Sequence, residues 1–271
     1  MQVRYWDWAR TPKRDDHQFA VLQMALDRST PRYGAYELFR VKADYSTLRS
    51  RQEVSDGSNV NVQAGPWRPL NPADSSDRRI AINIPIMSGL LGYRVLLIRK
   101  ENLDKFNAIR QARQLKVMVA GQGKEWAELD LYRRNGYRIM DTGNINTLIT
   151  MLAHKRFDYL PMSVTEANSA LALHPELSDQ LMVAPNLMIS YPLPTIFYVS
   201  ARYPELARRI EYGLQLAGRD GLIDEMTRQN FDKEIAAMTA VTRHFQMADP
   251  SVPKVLRAQL PGLRKLVAST P

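Results

Sequence analysis

The sequence predicts an α/β fold of two lobes with mostly parallel sheets, and two observations indicate it. Short apolar runs of strand character alternate along the chain with segments whose apolar residues recur at helical spacing. Two apolar extended runs are interrupted by proline, one at Pro85 and one at Pro192 and Pro194. Proline has no N–H to give to a sheet ladder, so each run stops and restarts where a chain can pass between sheets.

The two interrupted runs set the predicted domain boundaries. They form two hinge crossings, and residues 88–191 between them form a second, inserted lobe. Residues 1–87 and 192–271 then form the first lobe, which includes a C-terminal helical tail. Ligands of such folds bind outside the carboxyl ends of the strands, and often between domains.

In the first lobe, residues 3–7 read as a short buried strand, and a helix with Phe19, Leu22 and Leu26 on one face follows. The segment "YELFRVKA" alternates as the next strand, a polar helical piece leads to the strand "NVNVQ", and "NPADSSD" is a loop. The run "IAINIPI" alternates at period two before the first crossing. After the second crossing a helix opens with Pro204 in its first turn, and "GRDGLIDEMTRQNF" gives a turn and another helix.

The second lobe begins with the strand "VLLI" and then repeats a strand–helix unit three times. In the first repeat, "VMVA" runs into the turn "GQG" and a helix predicted from Lys124. In the second, "YRIMD" precedes the helix "INTLITMLA", whose apolar residues share one face. In the third, "RFDYLP" precedes the helix "VTEANSALAL".

Composition excludes several classes of site. With 45% hydrophobic and 24% charged residues the chain is ordinary for a globular protein, and no run approaches the roughly 18 apolar residues of a membrane span. The absence of cysteine excludes disulfides, thiolate metal sites and cysteine nucleophiles. The N-terminus "MQVRYWDWAR" lacks the apolar stretch of a secretory signal, which leaves a cytoplasmic protein or a mature chain whose leader has been removed.

The formal charge of +9 comes from basic residues spread along the chain, and we expect most of them on solvated helix faces rather than on nucleic acid. The end of the chain differs. After Asp249 no acidic residue occurs, whereas four basic residues do: Lys254, Arg257, Arg264 and Lys265. Docking to a partner or to an anionic membrane is the alternative role for this tail.

The sequence carries no pattern of catalysis, so no enzyme activity, cofactor or metal is predicted. The four histidines lack metal-ligand spacing, and no nucleophile elbow, P-loop or HExxH pair occurs. We expect His17, His154 and His174 at the surface.

The turn Gly121-Gln122-Gly123 is the clearest candidate for ligand contact. A helix that starts directly after a strand presents N–H groups to an anion. The turn lacks the third glycine of a dinucleotide fingerprint and the lysine and hydroxyl residue of a P-loop, which disfavours a nucleotide. A site for a smaller anion and a tight turn without a ligand are the two interpretations left.

Aromatic residues follow several strands. Trp8 comes after Asp7 at the end of the first strand, and Trp67 and Trp126 follow later ones. Such residues either wall a ligand site or belong to the core.

Three arginines are further candidates. Arg78 and Arg79, just before the first crossing, form either a bidentate clamp for a carboxylate or phosphate or a surface pair with Asp74 and Asp77. Arg94 lies in an otherwise apolar strand and therefore needs a partner.

Five segments carry a resemblance to a known family: "DRRIAINIPI", "LKVMVAGQG", "LITMLAHKRFDYLP", "YPLPTIFYVS" and "PELARRIEYGLQLAGRDGLIDEMTRQNF". In this order, over roughly residues 3–235, the chain resembles the periplasmic solute-binding proteins of the polar amino acid ABC-uptake type, extracellular solute-binding protein family 3. "IPIMSGLLGYRVLLIRK" and "GQGKEW" resemble a branch of that group whose members occur as free binding proteins and as input modules of signalling proteins.

The resemblance implies the type II periplasmic binding fold, in which two α/β lobes close by a hinge motion around a small organic ligand. It implies an anionic ligand, amino-acid-like or a carboxylate, gripped by Arg78 or Arg79. The N–H groups of Gln122 and Gly123 would receive the same anion.

The resemblance also places residues from both lobes around the ligand. The predicted set is completed by Asp7, Trp8, Trp67, Arg94, Trp126, Tyr159 and Ser163. Amino acid binders carry an acid at the position of Ser163, and Glu166 or Asp141 are the candidates to replace it.

Function follows the same resemblance. It implies a monomeric periplasmic protein that delivers its ligand to a membrane ABC permease. The alternatives are a ligand-sensing input module that partners a sensor protein, and an enzyme built on the same two-lobed fold.

Overall fold

In the computed structural model, residues 1–9, 11–70, 73–74 and 76–262 are described. The chain divides into two compact units. Unit 1 consists of Met1–Gly89, Pro194–Asp232 and the C-terminal stretch from Ser251, and unit 2 consists of Leu90–Leu193 and Lys233–Pro250. Each unit has one sheet with helices packed on it, which confirms the α/β class.

The described residues form eleven strands: β1 (Gln2–Asp7), β2 (Glu37–Lys42), β3 (Val62–Pro66), β4 (Arg79–Ile82), β5 (Tyr93–Arg99), β6 (Val119–Gln122), β7 (Arg138–Asp141), β8 (Tyr159–Ser163), β9 (Leu181–Ser190), β10 (Thr195–Ser200) and β11 (Arg243–Gln246). The α-helices are α1 (Pro12–Tyr33), α2 (Thr47–Asp56), α3 (Leu103–Asn107), α4 (Ala112–Lys116), α5 (Leu129–Arg134), α6 (Ile145–Ala153), α7 (Ala167–Ala172), α8 (Pro204–Arg219), α9 (Leu222–Asn230), α10 (Asp232–Thr239) and α11 (Lys254–Ala258).

The sheet of unit 1 has the strand order β2-β1-β3-β10-β4. β1 is parallel to β2 and to β3, whereas β10 is antiparallel to both of its neighbours. β4 therefore runs in the same direction as β1, β2 and β3. The ladder of β4 ends at Ile82, so the predicted strand through Pro85 is shorter than its alternation suggested.

The sheet of unit 2 has the strand order β11-β9-β5-β8-β6-β7. β6 is parallel to β7 and β8, and β11 is parallel to β9, but β5 is antiparallel to both neighbours. Both sheets are thus mixed: in each, one strand runs against the others, which share one direction. In each, the strand that is antiparallel is the one that follows an interrupted run.

The two faces of the unit 2 sheet bury different side chains. One face, here called the α5 face, packs Leu96, Ile98 and Ala120 against α3, α4 and α5. The other, the α6 face, packs Leu97 and Leu160 against α6 and α7. Because side chains alternate along a strand, this division fixes the face on which each polar residue of the strands lies.

The stretch Lys233–Pro250 joins unit 2, whereas the predicted boundaries assign it to lobe 1. It does so because β11 adds to the sheet of unit 2 beside β9. The sequence does not predict this pairing, because β11 has only four residues and its partner β9 lies more than fifty residues away in the chain.

Side chains make hydrogen bonds at both ends of α1. Pro12 opens the helix, and the carboxylate of Asp15 accepts the Thr11 N–H at 3.0 Å and its hydroxyl at 2.9 Å. At the other end the buried guanidinium of Arg209 donates to the Gly34 carbonyl at 2.8 Å and to the Ser29 hydroxyl at 3.0 Å. Free backbone groups at helix ends need such partners.

Candidate functional site

The carboxyl edge of the unit 2 sheet gathers polar residues from several strands. β6 and β8 run parallel and end at this edge, at Gln122 and Ser163. β9 is antiparallel to β5, and β5 is antiparallel to β8, so β9 also ends here, at Ser190. β11 is parallel to β9 and brings His244 beside Ser190.

Gln122 is the most unusual residue of this edge. Its side chain is fully buried, on the α5 face with Ala120. Neither the amide nitrogen nor the amide oxygen has a hydrogen-bond partner among the described residues. A buried polar group left unpaired costs about 1–3 kcal/mol, so an amide with two such atoms needs an ordered water or a polar ligand to complete its hydrogen bonds.

The turn after Gln122 is not a helix start. Lys124 donates its N–H to the Gly143 carbonyl at 3.1 Å, Glu125 has a left-handed φ of 65°, and α5 begins only at Leu129. The predicted helix from Lys124 is therefore wrong, and the Lys124 N–H is used within the fold. The predicted contact of an anion with the N–H groups of Gln122 and Gly123 stays a prediction. The interpretation as a tight turn describes this segment.

Trp126 explains why residue 123 is glycine. The indole lies over Gly123, where a Cβ atom would meet its Nε1 at 2.1 Å. Trp126 is half-buried and packs against the apolar cluster of the α6 face. It therefore closes the turn as well as bordering the edge of the sheet.

Arg94 has the partner that its apolar surroundings require. Its guanidinium donates to the carboxylate of Glu128 at 2.8 Å, and both side chains are about 95% buried. The Tyr191 hydroxyl donates to the same carboxylate at 3.5 Å, and Arg94 lies over the Tyr191 ring. Burial raises the pKa of Tyr191, so the phenol stays protonated.

Within this cluster the Nε of Arg94 has no hydrogen-bond partner among the described residues. The Tyr132 ring packs edge-on against the Tyr191 ring. Arg94, like Gln122, lies on the α5 face by the alternation of its strand. Arg94 and Gln122 thus lie on the same face of the sheet, on β5 and β6, with β8 between them.

Ser163 and Tyr159 occupy opposite ends of β8. Ser163 is buried at the carboxyl edge, 2.9 Å from the Thr165 hydroxyl and 3.3 Å from the Leu90 carbonyl. Tyr159 stands at the amino end of the strand, fully buried in the apolar cluster of the α5 face, with its hydroxyl 3.4 Å from the Leu115 carbonyl. The structure supports Ser163 as an edge residue and places Tyr159 in the core.

The pair of Ser190 and His244 was missed by the sequence prediction. The His244 Nε2 lies 2.6 Å from the Ser190 hydroxyl. Burial lowers the pKa of His244, which keeps the ring neutral at neutral pH. The only sequence signal was the alternation of "RHFQ", which gives no indication of the strand it joins.

The corresponding edge of unit 1 is formed by the ends of β1, β2 and β3. The buried carboxylate of Asp7 accepts Nε of Arg40 at 2.6 Å, and Nη1 of Arg40 also contacts Asp16 at 2.6 Å. Arg14 lies over the ring of Trp8. Arg40 thus contacts two carboxylates. It neutralises the buried Asp7 within unit 1 and also pairs with the exposed Asp16.

Trp67 follows β3 at this edge of unit 1. Its N–H donates to the Pro194 carbonyl at 2.7 Å, which continues the β3–β10 ladder by one residue. The Trp67 side chain is half-buried. Its role as a wall of the ligand site stays a prediction.

Comparison with solved structures identifies the architecture. The periplasmic VFT2 domain of Bordetella pertussis BvgS is 15% identical with a TM-score of 0.57, over 84% of this chain and 92% of that domain. The amino acid ABC transporter substrate-binding protein AbpA from Streptococcus pneumoniae, bound to L-arginine, is 12% identical with a TM-score of 0.54, over 86% of this chain and 95% of that one. The GluR0 ligand-binding core from Nostoc punctiforme, in complex with L-glutamate, is 12% identical with a TM-score of 0.51, over 86% and 99%.

The chain has the type II periplasmic-binding-protein fold. This confirms the fold that the resemblance implied. No protein-family model and no curated protein sequence matches the chain.

Arg78 and Arg79 lie at the wrong edge for a clamp in this fold. They precede or open β4, which runs parallel to β1 and β3, so they stand at the amino edge of the unit 1 sheet, beside Ser200. The guanidinium of Arg79 is buried against the Tyr198 ring and makes a bidentate pair with Asp77 at 2.5 and 2.6 Å. Of the predicted surface pair with Asp74 and Asp77, the contact with Asp77 is present, but the Arg79 side chain is buried rather than at the surface.

The histidine prediction is wrong at one position. His17 is buried in unit 1, 3.0 Å from the Ile86 carbonyl and edge-on to the Phe231 ring. His154 is exposed and His174 is partly exposed.

The remaining predictions concern metal sites, membrane-spanning helices and the basic C-terminal tail. Among the described residues no group of acidic or histidine side chains is suited to a metal ion, and no helix is both long and apolar enough to cross a membrane. In the basic tail, Lys254 and Arg257 belong to α11, whereas Arg264 and Lys265 lie outside the described residues.

Proposed function

We propose that the chain is a solute-binding module whose ligand is a small polar organic molecule held at the carboxyl edge of the unit 2 sheet. The observation that carries this proposal is the fully buried Gln122 amide with both polar atoms unpaired. Such a group is stable in a folded protein when a ligand or ordered water completes its hydrogen bonds. Its position at the end of β6 is where sheets of this kind bind ligands.

The chemistry of the edge indicates a ligand that both donates and accepts hydrogen bonds. A glutamine amide offers two donors and one acceptor oxygen, and the nearby hydroxyls of Ser163 and Thr165 serve in either role. An amino-acid-like ligand has both kinds of group. We therefore propose amino acids and related amides as the first class to test.

Two arguments for a net negative charge on the ligand are weaker in the structure than in the sequence. Arg79 is paired with Asp77 at the other edge of unit 1, and the turn at Lys124 offers no helix start. Solved proteins of this fold have been seen with L-arginine and with L-glutamate, so the fold itself accepts either sign. A zwitterion or a neutral polar molecule fits the edge as well as an anion does.

For the biological role, we propose periplasmic binding and delivery to an ABC permease, because AbpA is an ABC substrate-binding protein of the same fold. The alternative is a ligand-sensing input module that acts on a signalling protein. A permease gene or a signalling gene adjacent to the coding sequence distinguishes the two. Hinge closure on ligand binding and the absence of enzyme activity stay predictions.

The test is a thermal-shift screen of amino acids, amides, small carboxylates and phosphates, with hits confirmed by native mass spectrometry. A ligand at 100 times its Kd stabilises the folded protein by about 2.7 kcal/mol, which corresponds to a rise in Tm of roughly 5–11 °C at this chain size. Failure of the whole panel to raise Tm would remove the proposal's main support.

A pair of matched variants locates the site. Gln122→Leu removes both unpaired atoms, so Tm without ligand should stay the same or rise, while the ligand-induced shift should disappear. Gln180→Leu changes an exposed glutamine of the same unit and should leave the ligand-induced shift intact. Equal shifts in both variants would show that Gln122 does not contact the ligand.

A further inference from the structure

A wide bulge interrupts β9 on unit 2. Leu97 pairs with Val183 and Val95 pairs with Met188, so four residues of β9 lie opposite the single residue Leu96. Within this bulge Asn186 adopts a left-handed φ of 56°. The extra residues interrupt the ladder with β5 and bend the strand locally.

Arg243 holds the bulge in place from the neighbouring strand β11. Its Nη2 donates to the Pro185 carbonyl at 2.8 Å and its Nε donates to the Asn186 carbonyl at 3.2 Å. Its Nη1 donates to the Phe106 carbonyl at 2.7 Å at the end of α3. The bulge is therefore an anchored feature of unit 2.

A cavity of about 340 Å³ lies beside this bulge. Its walls are aliphatic or methionine side chains from the sheet, α7 and α10: Val95, Val164, Ala167, Val183, Leu187 and Met238. Its volume is at the lower end of the roughly 300–1,000 Å³ of ligand pockets. Walls of this composition suit the apolar body of a small molecule.

The rim of the cavity carries groups for a polar head. Lys233 is exposed at the rim, in the first turn of α10, where the helix dipole also favours a negative charge. The side chains of Asn168 and Asn186 supply amide groups at the rim, and Glu234 is the acid among the lining residues. A formal charge of +9 on the whole chain adds to the attraction of an anion.

We propose that this cavity binds a small monocarboxylate with an unbranched apolar chain, with the chain against Val95, Val183 and Met238 and the carboxylate at Lys233. Val95 and Val183 pack on the α6 face and Leu187 belongs to the cluster of the α5 face, but neither Gln122 nor Arg94 lines the cavity. The cavity is thus a second site on unit 2, and the proposal does not depend on the solute proposed for the carboxyl edge.

Octanoate is the probe, and its binding to the full chain is measured by isothermal titration calorimetry and by chemical-shift changes of the methionine methyl groups. Octanoate should bind saturably and shift the Met238 methyl signal. Octanol, which has the same chain without the charge, should bind at least about tenfold more weakly if a single charge contact is worth about 1.4 kcal/mol. Absence of saturable octanoate binding, or equal affinity for octanol, would overturn the proposal.

Two alanines of α10 provide a matched pair of variants. Ala237 lines the mouth of the cavity, whereas its exposed neighbour Ala236 does not. Ala237→Trp should fill the mouth and lower octanoate affinity at least about tenfold, while Ala236→Trp should leave it unchanged. Lys233→Gln should weaken octanoate and leave octanol unaffected.

Each variant is checked by its Tm and near-UV circular dichroism. If Ala237→Trp is folded and binds octanoate as tightly as Ala236→Trp does, octanoate binds elsewhere and the assignment of the cavity is wrong. Gln122→Leu should keep octanoate binding, which separates this site from the one at the carboxyl edge.

Discussion

Replacing Glu128 with glutamine should destabilise unit 2 strongly, because it leaves the Arg94 guanidinium charged and buried without a counter-ion. The two side chains are 4% and 5% exposed, and the 2.8 Å contact joins β5 to the residue before α5. The Nε of Arg94 also has no hydrogen-bond partner among the described residues.

The expected loss is about 3–5 kcal/mol, the usual consequence of removing one partner of a buried ion pair. At this chain size each kcal/mol corresponds to roughly 2–4 °C in Tm, so the midpoint should fall by roughly 6–20 °C. Arg94→Met should cost a similar amount, because it leaves the Glu128 carboxylate buried. The double variant Arg94→Met/Glu128→Leu should lose less than either single variant, since no uncompensated charge remains.

The assay is urea unfolding of the wild type, both single variants and the double variant, with hydrogen exchange of β5 and α5 to localise the effect. Asp130→Asn, two residues away in α5, is the control, because the carboxylate of Asp130 pairs with Arg133 at the surface and is 74% exposed. That change should stay within about 0.5 kcal/mol of the wild type. Additive losses in the double variant, or a loss with Glu128→Gln no larger than the control's, would refute the reasoning.

Two further predictions concern unit 1. Arg209→Met should reduce the stability of unit 1 by about 3 kcal/mol, because the charged hydrogen bonds of the guanidinium to Ser29 and Gly34 are lost. It should also speed hydrogen exchange in the last turn of α1. Urea unfolding and hydrogen exchange measure the two effects. His17 has a pKa lowered below its ordinary 6.5 by burial, so its contribution is complete above pH 6.5 and is lost as the pH falls from there through the folded-state pKa. The urea midpoint should therefore fall more steeply below pH 6.5 in the wild type than in His17→Gln, and parallel profiles would contradict the assignment.

Much of the fold could be predicted from the sequence because its signals are local. Alternation at period two, helical spacing and proline each report on a few neighbouring residues, and they placed ten of the eleven strands that the structure describes close to their segments. The prediction that Arg94 needs a partner is equally local in origin. Arg94 directly precedes the apolar run "VLLI", so its guanidinium is expected to be shielded from water.

The candidate site was harder to predict because it depends on strand direction and pairing. Arg79 precedes a crossing in the sequence, but β4 runs parallel to β1, which puts this arginine at the amino edge. Tyr159 lies next to Asp158 in "LITMLAHKRFDYLP", one of the segments that carry the resemblance. It is nevertheless the first residue of β8, and its side chain is buried in the core. A motif gives the order of residues, and the edge at which they stand is set by strands far away in the chain.

The sequence by itself determined the α/β class, the interrupted runs, the glycine turn at Gln122 and the need of Arg94 for a counter-charge, because each follows from the conformational limits or solvation of a short segment. Only the tertiary structure decided that Glu128 supplies this charge, that Lys233–Pro250 belongs to unit 2, and that Gln122 is buried with unpaired atoms. These depend on pairings between segments tens of residues apart. Such contacts arise from the packing of the whole unit, and no pattern within one segment records them.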